Sequence, residues 1–187
     1  MPRRRNDTNN LDFIANATLR RKIEHAIEIT SALYLKRNEK GVSKGIALEF
    51  CRMEILYAAS IIEAILLYMF KSKNEKLNKL EYKEVYPLPS SYQSSGSPIL
   101  VLAKQSQIPR QERELMLDNL LVFFTKNGTI KNDLKKKIDK ARTVRNTFHL
   151  AKSRQGIRCD ALSVNSAYDA VIDIFSVARA HLKAKKN

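Results

Sequence analysis

Ile55-Leu-Tyr-Ala-Ala-Ser-Ile-Ile-Glu63-Ala-Ile-Leu-Leu-Tyr-Met-Phe70 is the longest apolar stretch in the chain. It is shorter than a membrane span and carries an acid in its middle. Apolar residues lie on nearly every side of the helix it would form, which predicts the most buried element of a soluble fold. Ser43 is placed to cap that helix, giving a second helix from about Lys44 to Lys73.

Working outward, a first helix is expected from Asp12 to Arg37. Its apolar positions Ile23, Ala26, Ile27, Thr30 and Tyr34 recur at spacings of three and four. Gly41 is a candidate C-cap. A third helix is expected to start after Pro109 and run to Phe124, with Leu115, Leu117, Leu120, Leu121 and Phe124 facing the core. A fourth runs from Asn132 to about Lys152, and a fifth from Ser163 to about Lys183 with Tyr168, Val171, Ile172, Phe175 and Ala178 inward. Residues 74–109 interrupt the pattern with Pro87, Pro89, Pro98, Pro109 and the run Ser90–Ser97, and contain two short candidate strands, Tyr82–Leu88 and Ile99–Ala103. The fold class is therefore all-α: an up-and-down bundle of four to five helices with a Pro/Ser-rich insertion expected to form a small β-hairpin or an irregular flap. Residues 1–10 read as a disordered basic N-terminus and 11–185 as one helical domain.

The chain has 187 residues, five Gly, five Pro and no Trp, a composition that favours long helices over many short strands. Its 34 Lys and Arg against 19 acids leave a formal charge of +15. That excess predicts a polyanionic partner, nucleic acid before an anionic membrane surface. The two cysteines, Cys51 and Cys159, show neither metal-ligand spacing nor a disulfide framework and fit a reducing cytosol. The N-terminal Met-Pro-Arg-Arg-Arg has no apolar segment behind it and does not read as a signal peptide. No metal or other cofactor and no membrane span are expected, and the location is expected to be cytoplasmic.

The chemistry concentrates in Arg142-Thr-Val-Arg145-Asn146-Thr-Phe-His149. On a continuous helix turning about 100° per residue, His149 lies about 20° from Arg142, Asn146 about 40°, and Arg145 about 60° to the other side. The four share one stripe beside the apolar face of Leu134, Ile138, Ala141, Val144 and Phe148. A histidine transfers protons near neutrality, and arginine offers a planar fork to phosphate. Together they suit metal-free RNA cleavage. His149 would move a proton at the 2′-hydroxyl or the leaving oxygen, and Arg145 with Arg142 would stabilise transition-state charge. Asn146 would orient the phosphate or the histidine.

Val144-Arg145-Asn146-Thr147-Phe148-His149-Leu150 resembles the Arg-Asn…His motif of HEPN-domain proteins, all-α domains of prokaryotic toxin–antitoxin, abortive-infection and CRISPR-linked defence systems. Tyr57-Ala-Ala-Ser-Ile-Ile-Glu63-Ala-Ile-Leu66 is similar to the apolar, Glu-bearing helix that many of them carry before the motif. The resemblance implies a metal-independent ribonuclease, a homodimer whose two motifs meet in one cleft, and an antitoxin or other defence protein as a further partner. It implies His149 as catalytic, with Arg145 or Arg142 as its partner. Arg145 leaves three residues before His149 and Arg142 leaves six, against four to six in the family. The tyrosine that one toxin branch carries two residues after the histidine is replaced by Ala151.

Around this motif, Glu63 is a candidate partner for Arg145 or Arg142, because a buried acid is costly unless paired. Lys140 ends a run from Lys131 that holds five lysines and two aspartates. With Lys152, Arg154 and Arg158 of the following loop, it is expected to guide a phosphate backbone. Tyr82, Tyr86 and Tyr92 are candidates for base stacking, and His25 and His181 are expected at the surface. The competing reading is a non-catalytic helical module that binds nucleic acid or a partner protein.

Overall fold

The computed structural model describes residues 11–87, 100–147 and 159–184. Side chains are described within those ranges except at 82–87 and 100–105. Five helices occur among the described residues: α1 (Ala17–Arg37), α2 (Lys44–Ser72), α3 (Leu117–Lys126), α4 (Asn132–Asn146) and α5 (Ala161–Lys183). One antiparallel pair, β1 (Asn78–Pro87) and β2 (Leu100–Pro109), lies between α2 and α3 in the chain. The all-α bundle with a small hairpin is thus the observed architecture. The chain divides into a helical unit, Met1–Asn74 with Met116–Asn187, and a hairpin unit, Glu75–Leu115.

In the helical unit α2 is the hub and packs against α1, α3, α4 and α5. The reason is in its composition: Ile55, Ala58, Ala59, Ile62, Ile65, Leu66 and Met69 point in several directions, and all are at most 1% exposed. The run Ile55–Phe70 is shorter than a membrane span, yet the whole helix is long and apolar enough to cross one by length and composition. Within the protein, 56% of its most apolar window is buried against the other helices. Facing it are Leu120, Leu121 and Phe124 of α3, Leu134, Ile138, Ala141 and Val144 of α4, and Ala170, Ile174, Phe175 and Ala178 of α5, all buried.

Helix ends show where local chemistry decides. Asn16 Oδ1 accepts from Leu19 N at 2.9 Å, so α1 starts at Ala17 and not at Asp12. The preceding residues Leu11 and Ile14 are buried, and Tyr68 Oη accepts from Ala15 N at 2.9 Å. Ser43 caps α2 through Ile46 N, as expected. Asn38, not Gly41, is the C-cap of α1; Gly41 lies in the turn beyond, at φ +95°, where a Cβ would be strained. After Pro109 the chain makes a short 3₁₀ turn, Glu112–Glu114, before α3 begins at Leu117, because Met116 is extended.

Positions 148–152 of the helix expected to reach Lys152 lie outside the described residues, and helix α4 ends at Asn146. Thr147 supplies the cause: its hydroxyl donates to Val144 O at 2.8 Å, and its N–H bonds both Thr143 O and Val144 O. That local bonding competes with continuation of the ladder. In α5 the inward face includes Val171, Phe175 and Ala178 as expected, but Ile172 is 43% exposed.

The hairpin unit pairs Asn78 with Pro109 and Pro87 with Leu100, with irregular register around Glu84. Both strands are longer than the candidate strands in the sequence. Lys79 Nζ bonds Glu114 at 2.6 Å, and Glu114 also accepts from Gln111 N at 2.8 Å.

A polar knot sits inside the helical unit. Glu54 of α2 is completely buried. Its Oε1 lies 3.2 Å from Arg37 Nε of α1, without the alignment of a hydrogen bond, and its Oε2 accepts from the Tyr168 hydroxyl of α5 at 2.9 Å. Arg37 also donates to Cys51 Sγ at 2.9 Å. Burial raises the Glu54 carboxyl above its ordinary value, partly offset by the Tyr168 bond and the Arg37 charge. A raised folded value means this group contributes stability below the unfolded carboxylate range and loses it as pH rises through the folded value. Arg37→Met leaves the carboxylate unpaired and raises it further. The variant should lose about 3–5 kcal/mol, more at neutral than at mildly acidic pH. Arg37→Met/Glu54→Gln should recover much of that in urea denaturation, and equal losses in the single and double variants would contradict the pairing.

Candidate nucleic-acid site at the edge of α4

Arg145 sits in the last turn of α4, and its Nη1 meets Glu63 Oε2 of α2 at 2.7 Å. The other carboxylate oxygen of Glu63 accepts from Leu117 N, the first residue of α3, at 2.9 Å. One acid on the apolar hub therefore caps α3 and holds α4. This is the Glu63 partnership expected from the cost of an acid in an apolar helix, and Arg145 is the arginine that forms it.

Arg142 turns elsewhere. It bonds Asp118 in the first turn of α3 and lies 3.2 Å from Asp139, one turn back on its own helix. Asp118 also suits the positive end of the α3 dipole. The Arg142 and Arg145 side chains keep 30% and 34% exposure while being held, although the Nε of Arg142 is buried. Two arginines face three carboxylates, Glu63, Asp118 and Asp139. An incoming phosphate must share these guanidinium groups with the acids or displace them. Asn146 follows as an exposed residue at the helix end.

His149, Lys152, Arg154 and Arg158 lie outside the described residues, as do Phe148 and the side chains of Tyr82, Tyr86 and Tyr92. Arg142, Arg145 and Asn146 share the stripe on α4.

The lysines of α4 divide into two groups. Lys137 pairs with Asp173 of α5 at 2.8 Å, and Lys135 approaches Asp139 at 3.9 Å. Lys131, Lys136 and Lys140 are exposed and have no ion pair among the described residues. His25 is exposed as expected, whereas His181 is half-buried and edge-on to Phe124. Both cysteines are buried and unbridged, including Cys159, whose thiol is pushed up by burial. Among the described residues no group of His, Cys, Asp and Glu is arranged to hold a metal ion.

The signal that sequence reasoning missed was Glu54. It sits nine positions before Glu63 on the same helix and satisfies the same pairing rule, but its partners Arg37 and Tyr168 are distant in sequence. Compared with family models, curated proteins and solved structures, the chain has no match in any of the three.

Glu63→Ala removes the acceptor for Leu117 N and the partner of Arg145. It should cost about 1–2 kcal/mol in denaturant unfolding, most of it from the unsatisfied N–H because the arginine is partly solvated. Glu63→Gln, which retains an acceptor oxygen, should cost less.

Proposed function

We propose that the protein acts on RNA as a metal-independent endoribonuclease of the HEPN type, serving as a toxin or defence effector. The observation that carries this reading is the Arg145–Glu63 pair. It holds a partly exposed guanidinium at the end of α4, immediately before the segment that contains His149. In this reading His149 transfers the proton and Arg145 stabilises charge on the phosphorane-like transition state, leaving a 2′,3′-cyclic phosphate. Arg142 is the alternative motif arginine, and Asn146 orients the phosphate or the histidine. Lys140, which has no ion pair among the described residues, and the cations Lys152, Arg154 and Arg158 carry the backbone, consistent with the formal charge of +15. A homodimer would bring two such motifs together, and an antitoxin or other defence protein would be the natural regulator.

A second reading, a non-catalytic HEPN-like module that binds nucleic acid or a partner protein, is favoured by one specific observation. Both arginines already have carboxylate partners, three acids to two cations.

Purified protein incubated with RNA in EDTA separates the two. Under the nuclease reading, cleavage occurs and falls by about 10²-fold or more in His149→Ala and in Arg145→Ala. Cleavage that persists in both variants refutes the assignment. Salt-dependent RNA binding without cleavage selects the second reading.

A further inference from the structure

A half-open groove of about 490 Å³ lies between α4 and α5. Ile55 of α2 with Ala141 and Val144 of α4 lie behind it as buried core, and the apolar surface it presents is that of Leu162 of α5. Lys140, Thr143 and Ser166 are among its lining residues and supply an ammonium and two hydroxyls, of which that of Thr143 already donates to Asp139 O at 2.8 Å and offers an acceptor. The groove lies on the other side of α4 from the arginine cluster, since Lys140 and Arg142 differ by about 200° around the helix.

The charged groups lining the groove are unequally committed. Asp139 faces Arg142 and Lys135, and Asp160 caps α5 by accepting from Ser163 N and Oγ, both at 2.9 Å. Lys137 is paired with Asp173. Lys140 remains without an ion pair, and Ser166 without a side-chain hydrogen bond, among the described residues. The uncommitted charge of the groove is therefore positive. The first turn of α5 adds Leu162, 77% exposed, to the same lining.

We propose that this groove seats one nucleotide of single-stranded RNA. The base lies against Leu162, the phosphate meets Lys140, and the ribose 2′-hydroxyl meets Ser166 or Thr143. Pockets of this volume with an apolar lining and a few convergent polar groups suit ligands of nucleotide size. An apolar face, a hydroxyl and a phosphate on one unit are what the lining complements, and the 2′-hydroxyl is the group that sets RNA apart. A strand lying in the groove and also reaching Arg145 would cross the C-terminal end of α4. The inference rests on the RNA reading above and adds a binding site that the arginine motif does not contain.

The test uses a short oligouridylate carrying 4-thiouridine, bound to full-length protein in the His149→Ala background so that the strand stays intact. Ultraviolet crosslinks should map to the peptides holding Lys140–Val144 and Leu162–Ser166. Lys140→Glu should weaken binding by about tenfold and reduce the salt slope by about 0.7 or more. Lys22→Glu, the same charge change on the exposed surface of α1, should weaken it far less. Leu162→Asp, at an exposed position that does not support the core, should also weaken binding. If RNA binds but crosslinks fall elsewhere and Lys140→Glu matches Lys22→Glu, the groove assignment is overturned while the RNA reading stands. If the protein does not bind the oligonucleotide, both fall.

Discussion

The structure depends on the need to satisfy two carboxylates on its most apolar helix. Helix α2 buries residues on several faces, so it must be covered on several sides, yet it carries Glu54 with no exposure and Glu63 half-buried. An unpaired charge in such surroundings is expensive. Glu54 is met by Arg37 of α1 and Tyr168 of α5, and Glu63 by Arg145 of α4 and the first N–H of α3. Every other helix of the unit thus supplies one polar partner to α2. Hydrophobic contact is non-directional and leaves helices free to slide or rotate against one another. The two acids remove that freedom, since each requires a donor at hydrogen-bond or ion-pair distance.

This arrangement links fold to candidate chemistry. The arginine stripe at the edge of α4 is part of the machinery that docks α3 and α4 on α2, and it also projects into solvent. A guanidinium fixed by a carboxylate is preorganised, which favours binding of a planar anion, but the carboxylate competes for the same fork. Either consequence can dominate, depending on how much of the positive charge remains outside the cluster. Lys131, Lys136 and Lys140 supply some of it on α4.

Much of the helical architecture was legible because it follows from periodicity. The hub helix, its Ser43 cap, the inward residues of α4 and the break between α2 and α3 all express local rules of spacing and composition. The errors lie at boundaries. Asn16 starts α1 later than its apolar pattern, and the extended Met116 delays α3. The candidate site was legible in part: Glu63 and Arg145 were identified as possible partners from the cost of burial, and Arg142, equally eligible by spacing, bonds Asp118 instead.

By itself, the sequence determined that the protein is helical, that α2 lies at its centre, and that the acid in that helix needs a cation. These follow from residue spacing along one chain and from the cost of removing charge from water. The tertiary structure decided which arginine answers Glu63, that Arg142 is drawn to α3, and that Glu54 forms a second polar knot with Arg37 and Tyr168. Periodicity reports which face of a helix a residue occupies, not which distant residue will face it. Those pairings depend on the relative rotation and offset of packed helices, which only the folded chain defines.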